Sequence, residues 1–118
     1  EKPVVKKQEA FRLASISFAY ASAKPAKKQD IVFENIVEYL KQHPSARIRL
    51  DGYADKATGK ARTNLMLSIR RTDSVRNILI ERYGIAPSRI DAQGIGCNAQ
   101  PYEKNEHNRV VIVTALPE

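Results

Sequence analysis

The 118-residue sequence predicts an α/β sandwich in the order β-α-β-α-β-β, a mixed four-stranded sheet with two helices on one face. Three observations carry this. Four short segments are β-prone or alternate apolar and polar residues with period two. Two longer segments repeat apolar residues at helical spacing. Turn-forming residues separate all six. The length suits one compact domain, read as residues 11–118, with residues 1–10 as the tail of a linker.

The first strand is the apolar run 11–20, which holds Phe11, Leu13, Ile16, Phe18 and Tyr20. Residues 21–28 are small, polar and interrupted by Pro25, and form a loop. Phe33, Ile36, Val37 and Leu40 then fall on one face of a helix spanning about 29–42. His43-Pro44 ends it, because a residue before proline is pushed out of the helical region. Residues 46–52 alternate cleanly and predict a half-buried strand that runs out at Tyr53-Ala54-Asp55. A polar loop with Thr58-Gly59-Lys60 leads to a longer helix over about 64–83, with the stripe Leu67, Ser74, Val75, Ile78 and Leu79. Gly84 is placed as its left-handed cap, and Pro87 is a second stop. The last strands are 89–94 and 109–114, joined by a loop holding Gly96, Asn98, Pro101 and Asn105.

A net charge of +7 and a pI near 9.7 favour anionic partners: nucleic acid, acidic lipid or a carboxylate-rich polymer. The basic residues, among them Lys27, Lys28, Arg47, Arg49, Lys60, Arg62, Arg76 and Arg82, are dispersed. They do not cluster with stacking aromatics, which argues against nucleic acid. No apolar run approaches the roughly 18–20 residues of a membrane-spanning helix, so membrane association is expected only through other parts of a longer, exported chain. Cys97 stands alone, and His43 and His107 lie far apart with no other soft ligands near them. Neither a metal nor a cofactor is expected. Ser68, Asp91 and His107 lack the surroundings of a nucleophile elbow, a metal cluster or a phosphate loop, so no enzyme is expected.

One residue breaks the pattern of its own helix. Arg71 stands four positions after Leu67 and four before Val75, on the apolar stripe, where a guanidinium is costly unless an anion pairs with it. Arg70 lies about 100° round the helix and can point to water. The nearest candidate partner is Asp55, at the exit of the second strand, a common place for a ligand site. Side by side, the two would suit a zwitterion, with Asp55 taking an ammonium and Arg71 forking onto a carboxylate. A plain salt bridge locking helix to strand fits the same pattern.

The segment Gly52-Tyr53-Ala54-Asp55, then Gly59, Asn64 and Leu67-Ser68-Ile69-Arg70-Arg71-Thr72, with Val75 and Leu79 behind, resembles the OmpA-like C-terminal domain. This module occurs in outer-membrane protein A, peptidoglycan-associated lipoprotein and flagellar stator proteins. The likeness continues through Arg89-Ile90, Gly94-Ile95-Gly96, Pro101 and Arg109-Val110, with Ser22-Ala23 and Pro44-Ser45-Ala46-Arg47-Ile48 upstream. It covers nearly the whole chain from about Ile16, and explains Gly94-Ile95-Gly96 as a turn.

The resemblance implies non-covalent binding of peptidoglycan through the diaminopimelate of the stem peptide. By position, Asp55 and Arg71 would hold that residue's free amino-acid end, and Asn64 would support the loop or bond the ligand. It further implies a periplasmic module that anchors an envelope protein to the cell wall, attached to the outer membrane through an N-terminal region outside this sequence. Three positions depart from the family pattern. Ala54 replaces a threonine. Ala21 stands where an acidic or polar residue is usual, leaving Ser22 as the polar contact. Asn108 replaces the first of two arginines. The expected ligand-binding set is thus Asp55, Arg71, Asn64, Ser22, Ala54 and Asn108. The rival expectation is the same fold serving as an interaction or assembly module without wall binding.

Overall fold

The computed structural model describes residues 9–57 and 59–117, so most of the linker expected at 1–10 lies outside the described residues. The chain runs β1 (Phe11–Ser17), α1 (Asp30–Gln42), β2 (Arg47–Tyr53), α2 (Ala61–Glu81), β3 (Ile90–Gly96) and β4 (Val110–Leu116). Short 3-10 turns at Pro87–Arg89 and Asn105–Asn108 precede the last two strands. The sheet order is β1-β4-β2-β3. Strand β4 is antiparallel to both β1 and β2, while β2 and β3 are parallel, so the sheet is mixed as expected. Helix α2 is the crossover that a parallel β2–β3 pair requires.

The helix-facing side of the sheet follows from the alternation. Ile48 and Leu50 of β2 are fully buried in the core, while Arg49 and Asp51 point to the other face. The α1 stripe, Phe33, Ile36, Val37 and Leu40, meets them together with Ile16, Val75, Leu79, Val111 and Val113. Each such side chain contributes about 1.5–3 kcal/mol relative to exposure. Gly84 caps α2 with φ of +71°, Ile85 N–H reaching Leu79 O at 3.0 Å and Gly84 N–H reaching Ile80 O at 3.1 Å.

Two local expectations change. The first strand ends at Ser17, whose partner Val110 is the first residue of β4, so the β-prone run beyond it lacks a full ladder to join. Ala19 to Ser22 turn instead, with Ser22 N–H on Ala19 O at 3.1 Å. The segment Gly94-Ile95-Gly96 is the end of β3 rather than a turn. The glycines nearest α2 are there for close approach: a Cβ on Gly52 would lie 2.0 Å from Thr72 Oγ1, and one on Gly94 2.8 Å from the Ile69 backbone nitrogen. Without them α2 could not rest directly on the ends of β2 and β3, and Arg71 would stand away from the exit of β2.

Candidate functional site

Helix α2 is stitched to the sheet by two hydroxyls. Ser68 Oγ accepts from Gly96 N–H at 2.9 Å and donates to Leu65 O at 2.7 Å. Thr72 Oγ1 lies 2.8 Å from Ser68 O and 3.2 Å from Gln93 O. The carbonyl of the same Gly96 receives Ala54 N–H at 3.0 Å, so one residue fixes both the helix and the chain leaving β2.

On this frame Arg71 is fully buried. Its Nε donates to Ser22 O at 2.8 Å, Nη1 to Tyr53 O at 2.9 Å and Nη2 to Ala19 O at 3.1 Å, and its Cζ lies 5.3 Å from the centre of the Phe18 ring. The Ala19–Ser22 turn holds Ala21 at φ of +53°, a region costing an L-residue roughly 1–2 kcal/mol, and the Arg71 clamp on both ends offsets that strain. Asp55 is equally buried. Its Oδ1 accepts from Ala57 N–H at 3.0 Å and its Oδ2 from Arg109 Nε at 2.7 Å.

The direct Asp55–Arg71 pairing expected from sequence is therefore replaced by an Asp55–Arg109 ion pair, with Arg71 seated on neutral carbonyls. Arg71 still feels the carboxylate. Burial pushes its pKa down to about 10, with Asp55 acting to raise it and Arg109 to lower it further, so it stays charged at neutral pH. A guanidinium has five N–H donors. Three are used here, which leaves one on each terminal nitrogen with no acceptor among the described residues.

The other expected residues divide. Ser22 gives its carbonyl to Arg71, while its hydroxyl accepts Lys24 N–H at 3.1 Å. Ala54 is buried with both backbone groups engaged, its carbonyl taking Gln100 Nε2 at 3.0 Å. Asn64 is fully buried. Its Nδ2 donates to Gly59 O at 3.1 Å, and its Oδ1 has no donor among the described residues. Asn108 braces the 100–104 loop: its Oδ1 accepts Tyr102 N–H at 2.9 Å, and its Nδ2 donates to Gln100 Oε1 at 3.0 Å and Tyr102 O at 2.8 Å. Its amide is thus consumed within the loop. It acts on the site through Gln100, which holds the residues on either side of Asp55.

Sequence reasoning missed Arg109 as a member of the site. Its side chain is 24% exposed and packs over Tyr20, with Cζ 5.3 Å from the ring centre, forming the outer layer of a cluster whose inner members are closed to solvent. It stands just before β4, where no periodicity assigns it a face. Gln100 carried no sequence signal at all.

Comparison with known proteins points the same way as the fold. A model of the OmpA family matches residues 17–111. Outer membrane protein 40 of Porphyromonas gingivalis is 41% identical over 100 residues, covering 85% of this chain and 26% of that protein. Peptidoglycan-binding protein ArfA of Mycobacterium bovis is 33% identical over 88 residues, covering 70% of this chain and 26% of that protein. The chain thus spans about a quarter of the length of these relatives. The crystal structure of the peptidoglycan-associated lipoprotein from Burkholderia pseudomallei shares the fold, with a TM-score of 0.79 at 22% identity over 86% of this chain and 89% of that one. Among the described residues no helix is long and apolar enough to cross a membrane.

Proposed function

The chain belongs to the OmpA family, and on that premise we propose that it binds peptidoglycan non-covalently, through the zwitterionic end of diaminopimelate in the stem peptide. One observation carries the reading. Among the described residues, the cluster of buried Arg71 and Asp55 with part-buried Arg109 joins two guanidiniums to one carboxylate, one positive charge in excess, and Arg71 keeps two N–H groups without an acceptor. Carbonyls satisfy a guanidinium's geometry but not its charge, so a desolvated site of this kind favours a carboxylate. Asp55, which Ala57 N–H and Arg109 already hold in place, supplies the negative charge that an ammonium would meet beside these guanidiniums. Ammonium and carboxylate on one carbon are what distinguishes the diaminopimelate end from the amine of lysine.

The ligand approaches past Arg109 and Tyr20, the members of the cluster that solvent reaches. We read the chain as a binding module and not an enzyme, because the cluster sets opposite fixed charges side by side, as a charged ligand requires. Relatives named as outer membrane proteins support a place in the cell envelope, with this chain as the wall-contacting part of a longer protein in the periplasm. The second reading, an assembly module that does not touch the wall, draws on the closure of Asp55 and Arg71: a sealed cluster can serve only to lock the Ala19–Ser22 turn. Co-sedimentation with purified sacculi decides between them. Retention on diaminopimelate-type sacculi but not on lysine-type sacculi is expected; no retention on either favours the assembly module.

A further inference from the structure

We infer that the pocket between the 101–108 loop and the helix-free face of β1 and β4 is a saccharide subsite, which takes one neutral pyranose ring. It lies apart from the Asp55–Arg71 cluster and needs no part of the diaminopimelate reading. Its volume is about 220 Å³, and Ser15, Ser17, Tyr102, Glu106, His107 and Val110 line it. Ile16 and Val111 are buried in the core, so the alternation of extended strands turns Ser15, Ser17 and Val110 to the opposite face. Ser17 pairs with Val110 and Ser15 with Ile112, and both of these partners are buried, which sets two hydroxyls beside an apolar floor. Tyr102 forms a wall held at three points. Its backbone N–H donates to Asn108 Oδ1 at 2.9 Å, its carbonyl accepts from Asn108 Nδ2 at 2.8 Å, and its hydroxyl accepts from Arg12 Nη1 at 2.7 Å. The His107 ring meets it edge to face, 6.0 Å between centres.

The remaining polar groups are uncommitted. The hydroxyls of Ser15 and Ser17, the Glu106 carboxylate and the His107 imidazole make no hydrogen bond or ion pair among the described residues. Together they offer both donors and acceptors. The lining holds a carboxylate and neither lysine nor arginine, which disfavours an anion. Among the described residues no three His, Cys, Asp or Glu side chains gather to hold a metal ion. A neutral ligand rich in hydroxyls fits, with an apolar face for the floor. A pyranose ring has both: its hydroxyls bond to Glu106, His107 and the serines, while its C–H face lies on Val110 and the Tyr102 ring. The volume falls below the roughly 300–1,000 Å³ of drug-sized sites, so one ring enters and the rest of a polymer stays outside. Such rings come from the wall's glycan strand or from a surface polysaccharide. The loop also links this pocket to the first site, since Asn108 holds Tyr102 on one side and Gln100, the brace of Ala54 and Lys56, on the other.

Amide NMR titration of the whole chain with three probes tests this: a β-1,4-linked N-acetylglucosamine tetramer, which carries the linkage of the wall's glycan strand; an α-linked glucose tetramer, which stands in for a surface polysaccharide; and free meso-diaminopimelate. A tetramer should shift the amides of Ser15, Ser17 and residues 102–107 saturably at millimolar concentration, and leave residues 54–57 and 68–72 in place. Tighter binding of the first tetramer makes the glycan strand the source of the ring, and tighter binding of the second a surface polysaccharide. The double variant Ser17→Ala with Glu106→Ala should weaken that binding at least about tenfold, while diaminopimelate behaves as with the wild type. Both side chains are exposed, and an unchanged amide spectrum elsewhere shows the fold intact. Two tetramers that shift none of these amides, or a double variant that binds as the wild type does, overturn the inference. If diaminopimelate binds and both tetramers fail, the Asp55–Arg71 reading stands without this one. The reverse result removes that reading and keeps the saccharide subsite.

Discussion

Two arginines hold backbone carbonyls at opposite ends of β2, and their surroundings differ. At the start of the strand, Arg89 donates to Ala46 O, His43 O and Leu40 O at 2.7–3.1 Å. Two of these carbonyls belong to the C-terminal end of α1, where unpaired carbonyls and the helix dipole welcome a cation. Arg89 is only partly buried and has no acid beside it in its bonding set. At the far end, Arg71 makes the same kind of clamp, but fully buried, on irregular backbone, with Asp55 and Arg109 near enough to shift its pKa. Counting carbonyl bonds does not separate a brace from a binding residue. What sets Arg71 apart is full burial beside a second guanidinium and a carboxylate.

Substituting each arginine tests that distinction hardest. Arg71→Ala strands three carbonyls and leaves a cavity, and should cost roughly 3–5 kcal/mol and abolish sacculus binding. Arg89→Ala should cost roughly 1–3 kcal/mol and leave binding intact. Denaturant unfolding and co-sedimentation read both. Arg71→Lys keeps the charge without the fork, so it should fold and still bind at least about tenfold more weakly. Wild-type affinity in Arg71→Lys would make Arg71 a brace like Arg89.

The acids give the next contrast. Asp55→Asn preserves shape but removes the charge beside Arg109, and should weaken sacculus binding roughly a hundredfold with a stability loss of about 1–3 kcal/mol. Asp91→Asn, at the Arg89 end, breaks only the exposed Arg47–Asp91 pair and should cost under about 1 kcal/mol with binding unchanged.

How much of this was legible beforehand depends on whether a residue's role leaves a local trace. The α1 stripe and the Gly84 cap were readable, because periodicity and a positive φ each demand particular residues nearby. Arg71 was readable as a misfit on an apolar face. Its partners were not: backbone carbonyls have no sequence signature, and Asp55 and Arg109 stand 54 positions apart with only the β2–β4 pairing to join them. Gly52 and Gly94 were visible as glycines, but the helix backbone that needs them was not.

Asn108 shows the same limit and gives a smaller test. By family pattern an arginine there should strengthen binding; by structure its amide is buried inside the loop that steadies Asp55. Asn108→Arg should therefore cost about 1–3 kcal/mol and weaken binding, seen by thermal unfolding and co-sedimentation. A stable variant that binds more tightly would show the loop reaching the ligand. The smallest effect is expected for Ala21→Gly, which relieves the left-handed backbone and should stabilise by up to about 1 kcal/mol, measured by the same unfolding, with binding unchanged.

In the proposed reading, the Asp55–Arg71 end of β2 recognises an ammonium and a carboxylate on one carbon. Amide NMR titration with two stem tripeptides, identical except that one ends in diaminopimelate and the other in lysine, tests it most directly. Saturable shifts are expected at residues 54–57 and 68–72 with the diaminopimelate peptide, and none there with the lysine peptide at the same concentrations. Equal shifts with both peptides, or shifts clustered instead around Arg89 and the start of β2, would contradict it.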